Sequence, residues 1–169
     1  MKNLIKLLGG GDHRSISGVN KVVSQVETQE EFDRLFSCLD LEDDLIVERA
    51  IDAIEKISQR NPEFLSKHKR KILEMLKLDA SKLIKWHLAQ IVSRLELNET
   101  EFGIVWDKLT RWARNKKESR ILRVHAIQSL FNLLNERKEL KKDFEWTIKE
   151  VKEENIPSIQ ARLRILKLY

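Results

Sequence analysis

Cysteine occurs once in this 169-residue chain, at Cys38, proline twice and glycine five times. A single cysteine excludes an intrachain disulfide, and with it any scaffold stapled by bridges; a reducing, cytoplasmic setting is the expectation. Asn-Gly and Asp-Gly pairs are absent. Together with the few glycines and prolines, this argues against hairpins and a β-rich fold. No apolar run approaches the ~20 residues of a membrane span, so no membrane partner is expected. The opening "MKNLIKLLGGG" starts basic, but its apolar part is too short for a secretory leader and no small-residue cleavage site follows. It reads as a short helix stopped by Gly9, Gly10 and Gly11. There is no phosphate-binding Gly-Lys-Ser/Thr loop, no nucleophile elbow and no Cys-His constellation, and no cofactor is expected.

What the chain has in quantity is Leu, Ile, Lys, Glu and Arg, the residues of helices. Apolar residues make up 41% and charged residues 35%, which supplies a core with more surface charge than an average domain. Thr28 and Glu31 form a capping-box pattern ahead of Phe32, Leu35, Phe36 and Leu39, spaced i, i+3, i+4, i+7. Asn61-Pro62 reads as an N-cap followed by proline at the first helical position, Asn98 with Glu101 as another start, and Pro157 as the opening of the last helix. These signals predict ten helices, over 2–8, 14–26, 29–38, 44–59, 62–77, 81–96, 99–115, 118–135, 138–153 and 157–168.

One apolar pattern recurs at a step of 38 residues. "LIVERAIDAIEKI", "LIKWHLAQIVSRL" and "ILRVHAIQSLFNLL" align so that Ala50, Leu88 and Ala126 coincide. So do Ile51, Ala89 and Ile127; Ile54, Val92 and Leu130; Ile57, Leu95 and Leu133; and Ile46, Ile84 and Leu122. A weaker last copy is "PSIQARLRILKLY", nearer 36 residues on, and a weaker first copy is "RSISGVNKVVSQV". A lone helix cannot bury such a stripe, whereas stacked copies cover one another. A 38-residue period fits two helices and two short turns.

The segments "DDLIVERAIDAIEKI" and "ESRILRVHAIQSLFNLL" resemble HEAT repeats. Asp44, Val47, Arg49, Ala50 and Ile54 approximate that family's Asp-x-x-Val-Arg opening, with the arginine one place displaced. The resemblance implies a single all-α domain over 1–169, a right-handed α-solenoid of about five antiparallel helix pairs. It also implies that the second helix of each pair lines a concave face. It says little about function, because the scaffold hosts many roles.

On that expected face the polar rows are Arg49, His87 and His125; Asp52, Gln90 and Gln128; Lys56, Arg94 and Asn132; and, flanking, Val47, Lys85 and Arg123. The densest basic stretch, "RWARNKKESR" (111–120), places Arg111, Arg114, Lys116, Lys117 and Arg120 at a turn between paired helices. Residues 61–169 carry 24 basic against 15 acidic side chains, so this part of the chain is the one to attract an anionic partner. The candidate partner-binding set is therefore Lys82, Lys85, Trp86, His87, Gln90, Arg111, Arg114, Lys116, Lys117, Arg120, Arg123, His125 and Gln128. Trp86 is the aromatic placed beside these cations, where it either anchors a peptide, stacks on a base, or packs on the neighbouring helix.

The function expected is a non-enzymatic protein-interaction module. The alternative is a nucleic-acid binder, since the chain also resembles HEAT-like DNA glycosylases that cradle duplexes with tryptophan and a catalytic aspartate. Trp106 and Asp107 stand side by side, but on a first helix of a pair, and no catalytic residue carries over. The iron-binding HEAT-like deoxyhypusine hydroxylases use His-Glu dipeptides, which are absent at His13, His68, His87 and His125; two histidines alone make a poor metal site, and no metal is expected. Acidic turns at 40–44 and 152–157 would interrupt a long phosphate track. Ile165, Leu166, Leu168 and Tyr169 crowd the C-terminus and offer a homodimer or docking edge. Trp112 and Trp106 read as core, Trp146 as exposed, and Cys38 as a structural, partly buried residue.

Overall fold

A computed structural model describes residues 2–10, 17–78 and 80–169. His13, Gly11 and the first residues of the helix expected over 14–26 lie outside them. Among the described residues there are ten α-helices and no strand, and the chain divides into two compact units, Met1–Lys71 and Ile72–Tyr169.

The first unit holds α1 (Lys2–Gly9), α2 (Ser17–Gln25), α3 (Gln29–Phe36) and α4 (Asp44–Ser58), followed by a 3₁₀ segment, Pro62–His68. The Thr28 capping box forms as expected, with the hydroxyl accepting from Glu31 N–H and the Glu31 carboxylate accepting from Thr28 N–H. Asn61 does not cap; its amide donates to Glu63, and the turn beginning at Pro62 winds as 3₁₀ rather than α. α4 packs against α1, α2 and α3, sealing Ala50, Ala53, Ile54 and Ile57. Burial pushes the thiol of Cys38 above its ordinary range, as expected of an inert structural cysteine. Burial also raises the Asp33 carboxyl, but hydrogen bonds from Gln29, His68 and Lys67 outweigh it and bring the pKa to about 2.

Backbone meets backbone where α2 crosses α1. A Cβ on Gly18 would stand 2.1 Å from the Leu7 carbonyl oxygen. Gly18→Ala is therefore expected to lower stability by about 1–3 kcal/mol through overpacking, despite alanine's better helix propensity. Gly103→Ala, where a Cβ meets nothing within 4 Å, is expected to be neutral or stabilising by up to about 1 kcal/mol. Urea denaturation of both variants checks the contrast; equal midpoints would show that the crossing is loose.

α5 (Lys69–Met75) follows. The second unit continues with α6 (Lys82–Ile91), α7 (Glu99–Arg114), α8 (Arg120–Leu134), α9 (Lys141–Glu153) and α10 (Pro157–Ile165). α8 is central, packed against α6, α7, α9 and α10. Its inward residues Ala126, Ile127, Leu130 and Leu133 are fully buried, and Ser129 Oγ donates to the Ala89 carbonyl of α6 at 2.6 Å.

The 38-residue step extends beyond the stripe. The N-caps of α4, α6 and α8 are Asp43, Ser81 and Ser119, and their side chains accept from the N–H groups of Ile46, Ile84 and Leu122. Each cap satisfies one of the orphan donors of its helix. All the aligned stripe positions are buried except Ile84, which is half-buried.

Candidate functional site

The second unit carries a cleft of about 720 Å³ along the C-terminal half of α7. Heptad-like spacing puts Asp107, Lys108, Arg111 and Arg114 on the side of α7 turned away from Val105, Leu109 and Ala113, which are buried. Lys77 and Leu78, just after α5, Lys85 of α6 and Glu150 of α9 complete the lining. Five cations thus line the cleft against three carboxylates, Asp107, Glu118 and Glu150.

Three of the cations are paired. Arg111 Nε lies 3.0 Å from Asp107, Arg114 Nη2 lies 2.7 Å from Glu150, and Lys85 Nζ lies 3.2 Å from Glu118. Lys108 extends over the Trp112 ring at 5.4 Å, with its ammonium at the cleft. Lys77 and Lys108 enter no ion pair among the described residues, nor do Lys116, Lys117 and Arg120, which are exposed on or just after the turn between the lining residues Asn115 and Glu118. Glu150 also borders a second, smaller hollow of about 310 Å³ shared with Trp146, Lys149 and Glu153 along one face of α9. Trp146 is 66% exposed there, and Leu78, in the lining of the main cleft, is 63% exposed.

The thirteen sequence candidates part company. Lys85, Arg111 and Arg114 line the cleft; Lys116, Lys117 and Arg120 stand at its lip; Lys82 is exposed at the first turn of α6. Arg123 is withdrawn from any surface, at 1% exposure. Its Nε donates to the Ala113 carbonyl at 2.8 Å, and its two terminal nitrogens grip both oxygens of Glu154 at 2.9 and 2.7 Å. That grip, more than the cost of burying the carboxylate, holds the Glu154 carboxyl below the usual range. His87, expected to face solvent, is buried at 4% exposure, because the Trp86 ring stacks on it at 4.6 Å and continues onto His125 at 5.8 Å. Trp86 is therefore an intramolecular stacking partner and half-buried. Gln90 is half-buried on α6. Gln128 is engaged by Arg162, at 2.6 Å, and donates to Asn132. Of the ladder on the second helices, Arg49, His87 and Arg123 are buried and the others are half-buried or exposed, while the cleft runs mainly along a first helix with Lys85 of the ladder in its lining.

Sequence reasoning missed Lys77, Leu78, Lys108 and Glu150. The i, i+3, i+6 series Lys108, Arg111 and Arg114 on the outer side of α7 was the available signal for Lys108. Trp106 and Trp112 are core, as expected, and the Trp106 indole donates to Asp143 at 2.7 Å. Among the described residues no three His, Cys, Asp or Glu side chains gather as a metal site, and no helix is long and apolar enough to cross a membrane. At the C-terminus Ile165 is 70% exposed, while Tyr169 folds back: its hydroxyl donates to Gln160 and its ring lies under Lys152 and Arg164.

No curated protein and no solved structure significantly matches the chain. A model of the HEAT repeat domain matches residues 7–168, running through both units and all three copies of the 38-residue pattern. With its helices, its repeated N-caps and its repeated buried stripe, this all-α chain belongs to the HEAT repeat domain family.

Proposed function

We propose that the chain is a protein-interaction module whose binding surface is the α7–α9 side of the second unit. The observation that carries this reading is the composition of the cleft. Mixed charges, two of them cations in no ion pair among the described residues, are flanked by an exposed leucine and an exposed tryptophan. Aromatic and arginine side chains amid polar groups are the make-up of protein interfaces. A phosphate backbone would instead meet Asp107, Glu118 and Glu150 along the same groove. The exposed cations Lys116, Lys117 and Arg120 favour nucleic acid as the second reading. A dimer through the C-terminal end would rest on the exposed Ile165 and Tyr169, whose ring already lies against Lys152 and Arg164.

Affinity capture from the source cells, with and without nuclease, compares the wild type with Lys77→Glu/Lys108→Glu and with Trp146→Ala. These surface changes should move stability by no more than about 0.5 kcal/mol. The expected result is a protein retained through nuclease treatment and lost in both variants. Titration with labelled DNA and RNA is expected to show no binding that falls steeply with salt. Steep salt dependence together with weakening in Lys116→Glu/Lys117→Glu would replace the first reading by the second.

A further inference from the structure

The chemistry of the cleft narrows what it takes. Of its five cations, Lys77 and Lys108 lack carboxylate partners among the described residues, and Lys117 stands at its lip in the same condition, beside Lys116, whose charge acts on Glu154. Its three carboxylates are committed to Arg111, Arg114 and Lys85. The unspent charge is therefore positive. Lys108 is held by the Trp112 ring, which orients its ammonium without neutralising it. Glu150 belongs to both hollows, so a chain lying in the cleft continues past it to the open ring of Trp146. The Arg114–Glu150 pair marks that crossing and is 43% and 38% exposed, which leaves the arginine accessible to a second acceptor.

Resting on the interaction reading, we propose that this groove binds an acidic peptide segment of a protein partner. Its carboxylates meet Lys77, Lys108 and the lip lysines, and one apolar or aromatic side chain covers Trp146. Charge steers and orients such a segment, while the tryptophan supplies the desolvated anchor.

Fluorescence anisotropy with four labelled probes tests the proposal. They are an Asp/Glu-rich dodecapeptide containing one Phe, the same peptide with Phe replaced by Ser, its Lys-substituted counterpart, and a single-stranded oligonucleotide. The Phe-containing acidic peptide is expected to bind saturably and to weaken at least about tenfold in Lys77→Glu/Lys108→Glu and again in Trp146→Ala. The Ser version is expected to bind about tenfold more weakly and to be indifferent to Trp146→Ala. Absence of saturable binding, equal binding of the lysine peptide, equal binding of the oligonucleotide, or indifference of the Phe peptide to both variants would each overturn the proposal. A partner protein captured by the wild type and lost in the variants, with no acidic peptide bound, would reject this ligand class while leaving the module reading standing. Capture unaffected by the variants would reject the site itself.

Discussion

Arg123→Ala is expected to cost about 3–5 kcal/mol, the largest loss among single charged residues of the second unit. The guanidinium is buried between the end of α7 and the end of α9, where it satisfies the Ala113 carbonyl and both oxygens of Glu154. Removing it leaves a carboxylate that is 11% exposed without its partner, and an unanswered carbonyl at a helix terminus. Arg123→Lys retains the charge but not the fork, and is expected to recover only part of the loss. The effect depends on pH in a definite direction. Glu154 is held below its ordinary pKa in the folded chain, so the pair's stabilisation is complete above about pH 4.5 and fades as pH falls through the lowered value. Urea midpoints of wild type and Glu154→Gln should therefore converge in acid and separate toward neutrality. A wild-type-like midpoint for Arg123→Ala at pH 7 would show that the fork contributes little.

Phe32→Ala is expected to cost a similar 3–5 kcal/mol in the first unit. Its ring is fully buried, 5.5 Å from Phe64, 5.8 Å from His68 and 6.3 Å from Phe36. The cavity would open under His68, which stacks on Phe36 at 3.9 Å and reaches Asp33 at 2.7 Å. The packing and the polar contact should therefore loosen together. Hydrogen exchange over residues 29–68 reads this directly: protection is expected to fall throughout that stretch. Loss confined to a single turn would mean that the ring cluster is not a cooperative unit.

The helices were legible because their signals are local. A capping box at Thr28–Glu31, a stripe at i, i+3, i+4 and a fixed step of 38 residues depend only on neighbours along the chain. The stripe predicts the burial of Ala50, Leu88 and Ala126, and all three are buried. The fate of the flanking polar residues was not legible. Arg123 aligns with Val47 and Lys85, and nothing in a helical pattern says that it will meet Glu154, 31 positions on. His87 has the spacing of a surface residue and is covered by Trp86, its own neighbour in the chain, with His125 beyond. Asn61 illustrates the limit of a local rule: Asn-Pro opens a helical turn there, but the side chain makes no cap and the turn is 3₁₀. The cleft itself comes from Lys77, Lys85, Arg114 and Glu150 on four different segments, a juxtaposition made only by packing.

The most direct test of where this protein binds is a two-dimensional ¹H–¹⁵N spectrum during titration with the acidic Phe-containing peptide. The chain has four indole N–H groups, and Trp146 is the exposed one. The predicted result is movement of the Trp146 indole and of the amides of Leu78, Lys108, Arg111, Arg114 and Glu150, with Gln90, His125 and Gln128 still. Movement centred on Gln90, His125 and Gln128, with the Trp146 indole unchanged, would contradict it and return the binding surface to the second helices.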